Sequence, residues 1–261
     1  MTKSIKSSES QSLPLNTSWF RAASGASIEG EGIVAKGEKL WYLPAPIKDL
    51  TGEFASVADA TGAVRFVNEY GPLKLPQGVS RARLSLSAPM VEVSESVESI
   101  LDQAKRVARI RKVAALFADK RPEIQKNLVT TLLDLWPLNF PLAPDLNKSA
   151  AVHLPLARVK GILDRFILQE LNMHLPRSSE RAHINVRGEF ESVLAFDDLL
   201  AVIYRKLFEE LMRGKLRLCH ECGTVFEWTD PRQMYCSKRC GLNLAQRRYR
   251  KRPKNRDRSS R

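Results

Sequence analysis

"LCHECGTVFEWTDPRQMYCSKRCGLNLAQRRYRKR", residues 218–252, holds all four cysteines of a 261-residue chain. They stand as Cys219-x2-Cys222 and, after thirteen intervening residues, Cys236-x3-Cys240. Two residues between thiols let a tight turn aim both sulfurs at one point, as a tetrahedral zinc ion requires. Gly223 suits such a knuckle, where the backbone must turn without a Cβ clash. Thr224, Phe226 and Trp228 would share one strand face, with Val225 and Glu227 on the other. Asp230-Pro231 then supplies the turn of a short hairpin. Ser237 can cap a helix that starts at once, with Cys240 in its first turn. Knuckle, hairpin and helix in that order describe a treble-clef-like module. Four thiolates would close the shell around one structural Zn2+, leaving no open position for substrate.

Other uses of the four thiols fit less well. Two disulfides need an oxidising compartment, and residues 1–16 contain no apolar stretch of a signal peptide. His220 could replace a thiol as ligand, but it lies between two well-spaced cysteines. A redox Cys-x2-Cys belongs in a thioredoxin-like βαβ setting, for which the flanking sequence offers no pattern. The expected metal ligands are therefore Cys219, Cys222, Cys236 and Cys240.

Beyond Cys240 the helix would continue as GLNLAQRRYRKR. Leu242, Ala245 and Tyr249 recur at helical spacing and are expected to face Phe226 and Trp228. Asn243, Gln246, Arg247, Arg250 and Lys251 would then point outward, with Arg248 and Arg252 at the flanks and Arg239 in the first turn. Arg and Lys suit phosphates, whereas Asn and Gln can also read base edges. Charge supports this reading. The chain carries a net +13, and residues 237–261 hold eleven of its 42 Lys and Arg and one acid, Asp257. The body is close to neutral and the end is strongly cationic, an asymmetry that points to a polyanionic partner. A charge run alone is as often a solvated helix and tail; metal anchoring and the scarcity of acids favour nucleic-acid binding.

Cys-x2-Cys-Gly, an aromatic hairpin, Tyr235-Cys-Ser-x2-Cys-Gly241 and Arg247-Arg-Tyr-Arg250 together resemble the CGNR zinc finger of bacterial proteins. The resemblance covers about 35 residues. It implies a transcription regulator with a C-terminal DNA-binding finger and an N-terminal region that senses stress or a ligand. The sequence departs from the family pattern in having Cys240-Gly241-Leu242-Asn243 where the family has Cys-Gly-Asn-Arg. The family's Asn and Arg therefore have no counterparts to carry over.

Ahead of the module, residues 1–16 are Ser-rich and expected to be disordered. Residues 17–215 read as a mostly helical body, with a sub-boundary near 92; residues 216–252 form the module and residues 253–261 a basic tail. GIVAKGEKLWYLP (32–44) reads as strands. Residues 60–70 read as a helix burying Val64, Val67 and Tyr70, stopped by Gly71-Pro72. From Ser94 helical period takes over, with Val97, Ile100, Leu101, Ala104, Val107 and Ala108 in one stripe. Pro122 can open a second helix that buries Leu128, Leu132, Leu133 and Trp136, and three prolines keep residues 137–146 out of regular helix. A third helix is expected over 156–173, a hairpin over 182–196 around Gly188, and a last helix from Asp197 or Asp198 to Gly214. The predicted fold class is α+β, with minor β in the body.

Few other residues suggest chemistry. His153, His174 and His183 have no cysteine or carboxylate at ligand spacing. Asp197-Asp198 fits a helix cap better than a catalytic pair, and Trp19, Trp41, Tyr42, Trp136 and Phe140 fit a core better than a ligand pocket. No Gly-rich phosphate loop, nucleophile elbow or metalloprotease helix occurs, so a non-enzymatic role is expected. The expectation is a bacterial, cytoplasmic and nucleoid-associated DNA-binding regulator, most simply on duplex DNA, whose body could take a small-molecule effector. An RNA- or ribosome-associated zinc protein and a zinc-stabilised protein–protein adaptor are the alternatives.

Overall fold

The computed structural model describes residues 18–21, 25–37, 39–42, 49–74, 91–135, 155–175, 178–184, 190–196 and 198–251. In chain order the strands are β1 (Ser18–Arg21), β2 (Ala26–Glu29), β3 (Gly32–Gly37), β4 (Lys39–Tyr42), β5 (Val91–Ser96), β6 (Ser178–Ile184), β7 (Phe190–Phe196), β8 (Leu216–Leu218) and β9 (Val225–Glu227). The helices are α1 (Leu50–Ala55), α2 (Ala60–Tyr70), α3 (Val97–Ala118), α4 (Pro122–Lys126), α5 (Leu128–Leu135), α6 (Leu156–His174), α7 (Leu199–Arg213) and α8 (Lys238–Lys251). The fold is α+β and mostly helical, with small antiparallel sheets and a cysteine module near the end. No described helix is long and apolar enough to cross a membrane.

Contacts divide the chain into two units. The first takes residues 1–48, 59–100 and 173–203. Its sheet runs β2-β3-β5, all antiparallel, with Ala26 opposite Ala35 and Ala35 opposite Val93. β1 pairs with β4, and β6 with β7 from Ser178↔Phe196 to Ile184↔Phe190. Ile33, Val34, Ala35 and Val93 are buried on the sheet, and α2 buries Ala63, Phe66, Val67 and Tyr70. Val64, expected inside, is only half-buried; the stripe is centred one residue earlier. α2 begins at the Asp59 cap, whose carboxylate accepts from Gly62 N–H at 2.7 Å, and ends at Gly71. Glu95 on β5 accepts from Leu73 N–H at 2.7 Å, and burial pushes its carboxyl up to about 7. Asp198 caps α7 by accepting from Ala201 N–H at 2.6 Å, the role expected for it.

The second unit takes residues 49–58, 101–172 and 204–261. Val113, Ala115, Leu116, Leu128, Leu132, Val159 and Leu163 form its buried cluster, together with Leu216 and Leu218 of β8. The strand leading into the first cysteine is thus packed into the helical core, with half-buried Val225 of β9 against it. The same unit holds ion pairs around two buried acids, Glu170 and Glu210. The Arg111 guanidinium reaches Glu210 at 3.0 Å and Asp49 at 2.9 Å, and the Thr51 hydroxyl donates to Glu210. Arg106 pairs with Glu170 at 2.9 Å, and the single proton of the Tyr204 hydroxyl has two acceptors in reach, Gln103 Oε1 at 3.3 Å and Glu170 Oε2 at 3.4 Å.

Two helix boundaries differ from the periodicity. The helix expected from Ser94 starts at Val97, because Val91–Ser96 alternates and finds a partner in β3. Ser96 Oγ instead accepts from Ser99 N–H, 3.4 Å away, at the helix entrance. The helix from Pro122 is two helices, broken at Asn127, whose N–H turns back to Ile124 O. α1 and β1 carry no sequence signal strong enough to be expected. Trp136, Phe140, His153 and residues 137–146 lie outside the described residues, as do the side chains of Trp19, Trp41, Tyr42, Leu133 and His183.

Candidate metal centre and the helix behind it

The module is built around a hairpin whose turn is the first cysteine pair. β8 pairs antiparallel with β9, Leu216 opposite Glu227 and Leu218 opposite Val225. The turn residues Asp230-Pro231 suggest a partner for the 224–228 strand on their far side; the partner found is instead the strand before Cys219. Three residues are too few for a strand period to be read, so β8 is invisible to pattern. Cys219 N–H donates to Thr224 O at 2.9 Å and Gly223 N–H to Cys219 O at 3.0 Å, closing the knuckle. Gly223 sits at φ +72°, a left-handed conformation that a Cβ would strain.

The second cysteine pair is brought over the first by backbone bonds. His220 N–H donates to Met234 O at 3.0 Å, and the Asp230–Gln233 turn closes with Gln233 N–H on Asp230 O at 2.8 Å. Gln233 holds this loop from both ends of its amide, accepting from Thr229 N–H and donating to Tyr235 O. Ser237 then caps α8: its hydroxyl accepts from Cys240 N–H at 3.3 Å. Gly241 lies in the first turn against Tyr235: a Cβ there would sit 3.4 Å from the ring, at ordinary van der Waals contact.

All four sulfurs lie within 4.8 Å of one another and could hold a metal ion. Cys222–Cys236 and Cys236–Cys240 are each 3.6 Å apart. A zinc–sulfur tetrahedron with bonds of about 2.3 Å has edges of about 3.8 Å, so the donor set fits such an ion. Without a cation the Cys222 and Cys236 thiols are driven apart in acidity. A hydrogen bond from Thr224 holds the Cys222 thiol down to about 6, whereas burial and then the neighbouring sulfurs push Cys236 up to about 12. The pull between neighbours is what a divalent ion would relieve. Cys219 is buried and Cys222 exposed, so the cluster spans the module from core to solvent. His220 is outside the cluster; its ring packs edge-on to Tyr235 at 6.1 Å, and burial lowers its basicity.

On α8, Arg239, Asn243, Gln246 and Arg247 are exposed. With Arg250 they follow helical spacing along one face. Arg248, Arg250 and Lys251 continue the helix with side chains outside the described set, and Arg252 lies beyond it. The expected inward stripe is not the one found. Leu242 is 63% exposed and Ala245 is exposed, while Gly241 and Leu244 are half-buried. The helix is tied at its start by Cys240, within the sulfur cluster, and by Tyr235 against Gly241, so hydrophobic spacing does not report its rotation. One partner had no sequence signal: Arg247 pairs at 3.1 Å with Glu221, in the knuckle itself. Compared with models of known families, with curated proteins and with solved structures, the chain has no match.

Proposed function

We propose that the protein binds duplex DNA as a bacterial transcription regulator, using α8 as its contact element and one structural zinc ion to fix that helix. The observation that carries this reading is the cysteine cluster at the root of a helix without acids. Cys236 and Cys240 bracket its start, six of its fourteen residues are Lys or Arg, and Arg239, Asn243 and Gln246 are exposed on one face. A metal-anchored helix loses little freedom on binding, and a cationic face meets phosphates while two amides reach base edges. Cys219, Cys222, Cys236 and Cys240 would hold the zinc, which supplies rigidity and no chemistry. The resemblance to CGNR fingers supports the same reading, and the cytoplasm with its nucleoid is the matching location.

Binding to a labelled duplex across a salt series tests it. Each phosphate contact releases condensed counterions, so Arg250→Ala should flatten the slope of log K against log salt by about 0.9. Asn243→Ala should leave that slope alone and lower the preference for the native site. Equal duplex binding by the intact chain and a chain ending at residue 242 would remove α8 from the mechanism. Tighter binding to a structured RNA of equal charge would favour the RNA-associated alternative.

A further inference from the structure

A cleft of about 660 Å³ opens beside the cysteine knuckle, with no α8 residue in its lining. The turn between α3 and α4 forms one wall with Asp119, Lys120 and Arg121; Arg217, Trp228 and Met234 form the other. Its charge is unbalanced. Asp119 is fully engaged by Arg121, with Nε at 3.0 Å from both oxygens and Nη2 at 2.6 Å from one. Among the described residues no second carboxylate lines the cleft beside Lys120, which is exposed, or Arg217; Glu123, outside the lining, acts on Arg121 and His220.

Arg217 is held in an unusual way. Its Nη1 donates to two backbone carbonyls, Pro231 O at 3.0 Å and Gln233 O at 2.7 Å, and its guanidinium lies 5.2 Å from the centre of the Trp228 ring. Carbonyls orient a guanidinium without neutralising it. Among the described residues nothing accepts from Nε and Nη2, the edge that matches two oxygens of one oxyanion. The group is therefore positioned, charged and half-buried, with its fork unused.

We propose that this cleft binds a phosphate group, held by the Nε–Nη2 edge of Arg217 and by Lys120, with Trp228 as the apolar wall. Two cations in the lining of one cleft suit a phosphate: a monoester brings about two negative charges and a nucleic-acid diester one, each with a pair of oxygens that fits a guanidinium fork. The volume lies in the range of small-molecule sites and exceeds what a bare ion needs, so the phosphate would arrive on a larger body such as a nucleotide. That body is either a free mononucleotide or the backbone of a nucleic acid. Two contacts link the site to α8. His220 is joined to Met234 through the backbone, its ring meets Tyr235, and Tyr235 abuts Gly241 in the first turn of the helix. The proposal does not depend on α8 contacting DNA.

Calorimetry on the full, zinc-loaded chain with AMP and with inorganic phosphate, and duplex binding by anisotropy, test it together. Saturable 1:1 binding of AMP, weakened about tenfold or more by Arg217→Lys and severalfold by Lys120→Gln, assigns a free nucleotide. Arg217→Lys keeps the charge and removes the fork. If AMP and phosphate do not saturate, yet both variants lose duplex affinity to that extent, the phosphate belongs to nucleic acid. Should Arg217→Lys melt early because its carbonyl anchors are gone, Lys120→Gln decides alone, since Lys120 is exposed. Lys105→Gln, exposed on α3, controls for net charge. The proposal is overturned if none of the three probes binds, or if Lys120→Gln and a folded Arg217→Lys bind all of them as the parent does. Loss of duplex binding on truncating α8, with the cleft variants unaffected, would sink the cleft and leave the DNA reading standing.

Discussion

The helical core around Leu132 and the module beyond Leu218 solve the problem of staying folded by different means. In the core, Val113, Ala115, Leu116, Leu128, Leu132, Val159 and Leu163 are all nearly or wholly out of solvent. Between Cys219 and Arg247, only Cys219 and Phe226 are buried. A segment of that size with two buried side chains cannot offset its own conformational entropy. What remains is the sulfur cluster, and a few backbone bonds that bring its halves together. The comparison teaches that one region is specified by the sum of many apolar contacts and the other by four atoms.

The strongest way to break that contrast is to remove a ligand. Cys236→Ser, or chelation, should take away metal-binding free energy on the order of 10 kcal/mol and with it the order of residues 219–251. Amide exchange should rise throughout those residues while α3 and α6 stay protected. Protection around Leu128 and Leu163 should fall only modestly, because Leu216 and Leu218 pack there. Loss of protection throughout α3 would mean that the metal holds the core as well.

The next test falls on the helical unit's buried ion pairs. Arg111→Leu leaves Glu210 buried without its guanidinium, which should cost about 3–5 kcal/mol in denaturant unfolding with zinc content unchanged. Burial already raises the Glu210 carboxyl, and without Arg111 it would rise further. The variant should therefore be least destabilised in acid. A loss under about 1 kcal/mol at neutral pH would show that the ion pair is dispensable.

A comparable effect is expected at Glu95 in the sheet unit. Its carboxyl is held near 7 in the folded chain against an ordinary 4.5. The folded state thus binds the extra proton between those values, and stability should decline as pH rises from about 4.5 to about 7, by on the order of 3 kcal/mol. Glu95→Gln should abolish most of that decline. A parent chain with flat stability over this range would contradict it.

Ser237→Ala gives the smallest effect. Losing the bond to Cys240 N–H should cost about 1 kcal/mol at the start of α8 and weaken zinc roughly severalfold, measured by competition with a chromophoric chelator. An unchanged zinc affinity would separate the helix cap from the metal site.

Sequence makes the two regions legible to different degrees. The cysteine spacing, Gly223, Ser237 and the helices carrying Leu132, Val159 and Leu207 can all be read, because each rests on local geometry or on a long period. β5 is hidden because VEVSES runs straight into a helical stripe, and its strand character depends on a distant partner, β3. The hairpin's first strand is hidden by its length. Apolar spacing misplaces the rotation of α8 for a deeper reason. It identifies a buried face only where burial fixes the helix, and here Cys240 and the Tyr235–Gly241 contact tie its start instead. The Arg217 fork and the Glu221–Arg247 pair lie between residues far apart in sequence, and neither has a motif.

The Glu221–Arg247 pair alters how the cationic helix should be counted. Glu221 is nearly covered, with its side chain 8% exposed, while Arg247 is 68% exposed. In the proposed complex a phosphate taking Arg247 would have to evict a carboxylate already seated there, so the event is a partner exchange and yields less than a new ion pair. Fewer mobile cations are displaced from DNA per net charge gained, because the protein brings its own counter-ion. The valence that α8 presents to a polyanion is accordingly smaller by nearly one than the roll of its Lys and Arg suggests. The metal-proximal end would meet nucleic acid as a self-neutralised surface, and the pull would come from residues further along the helix.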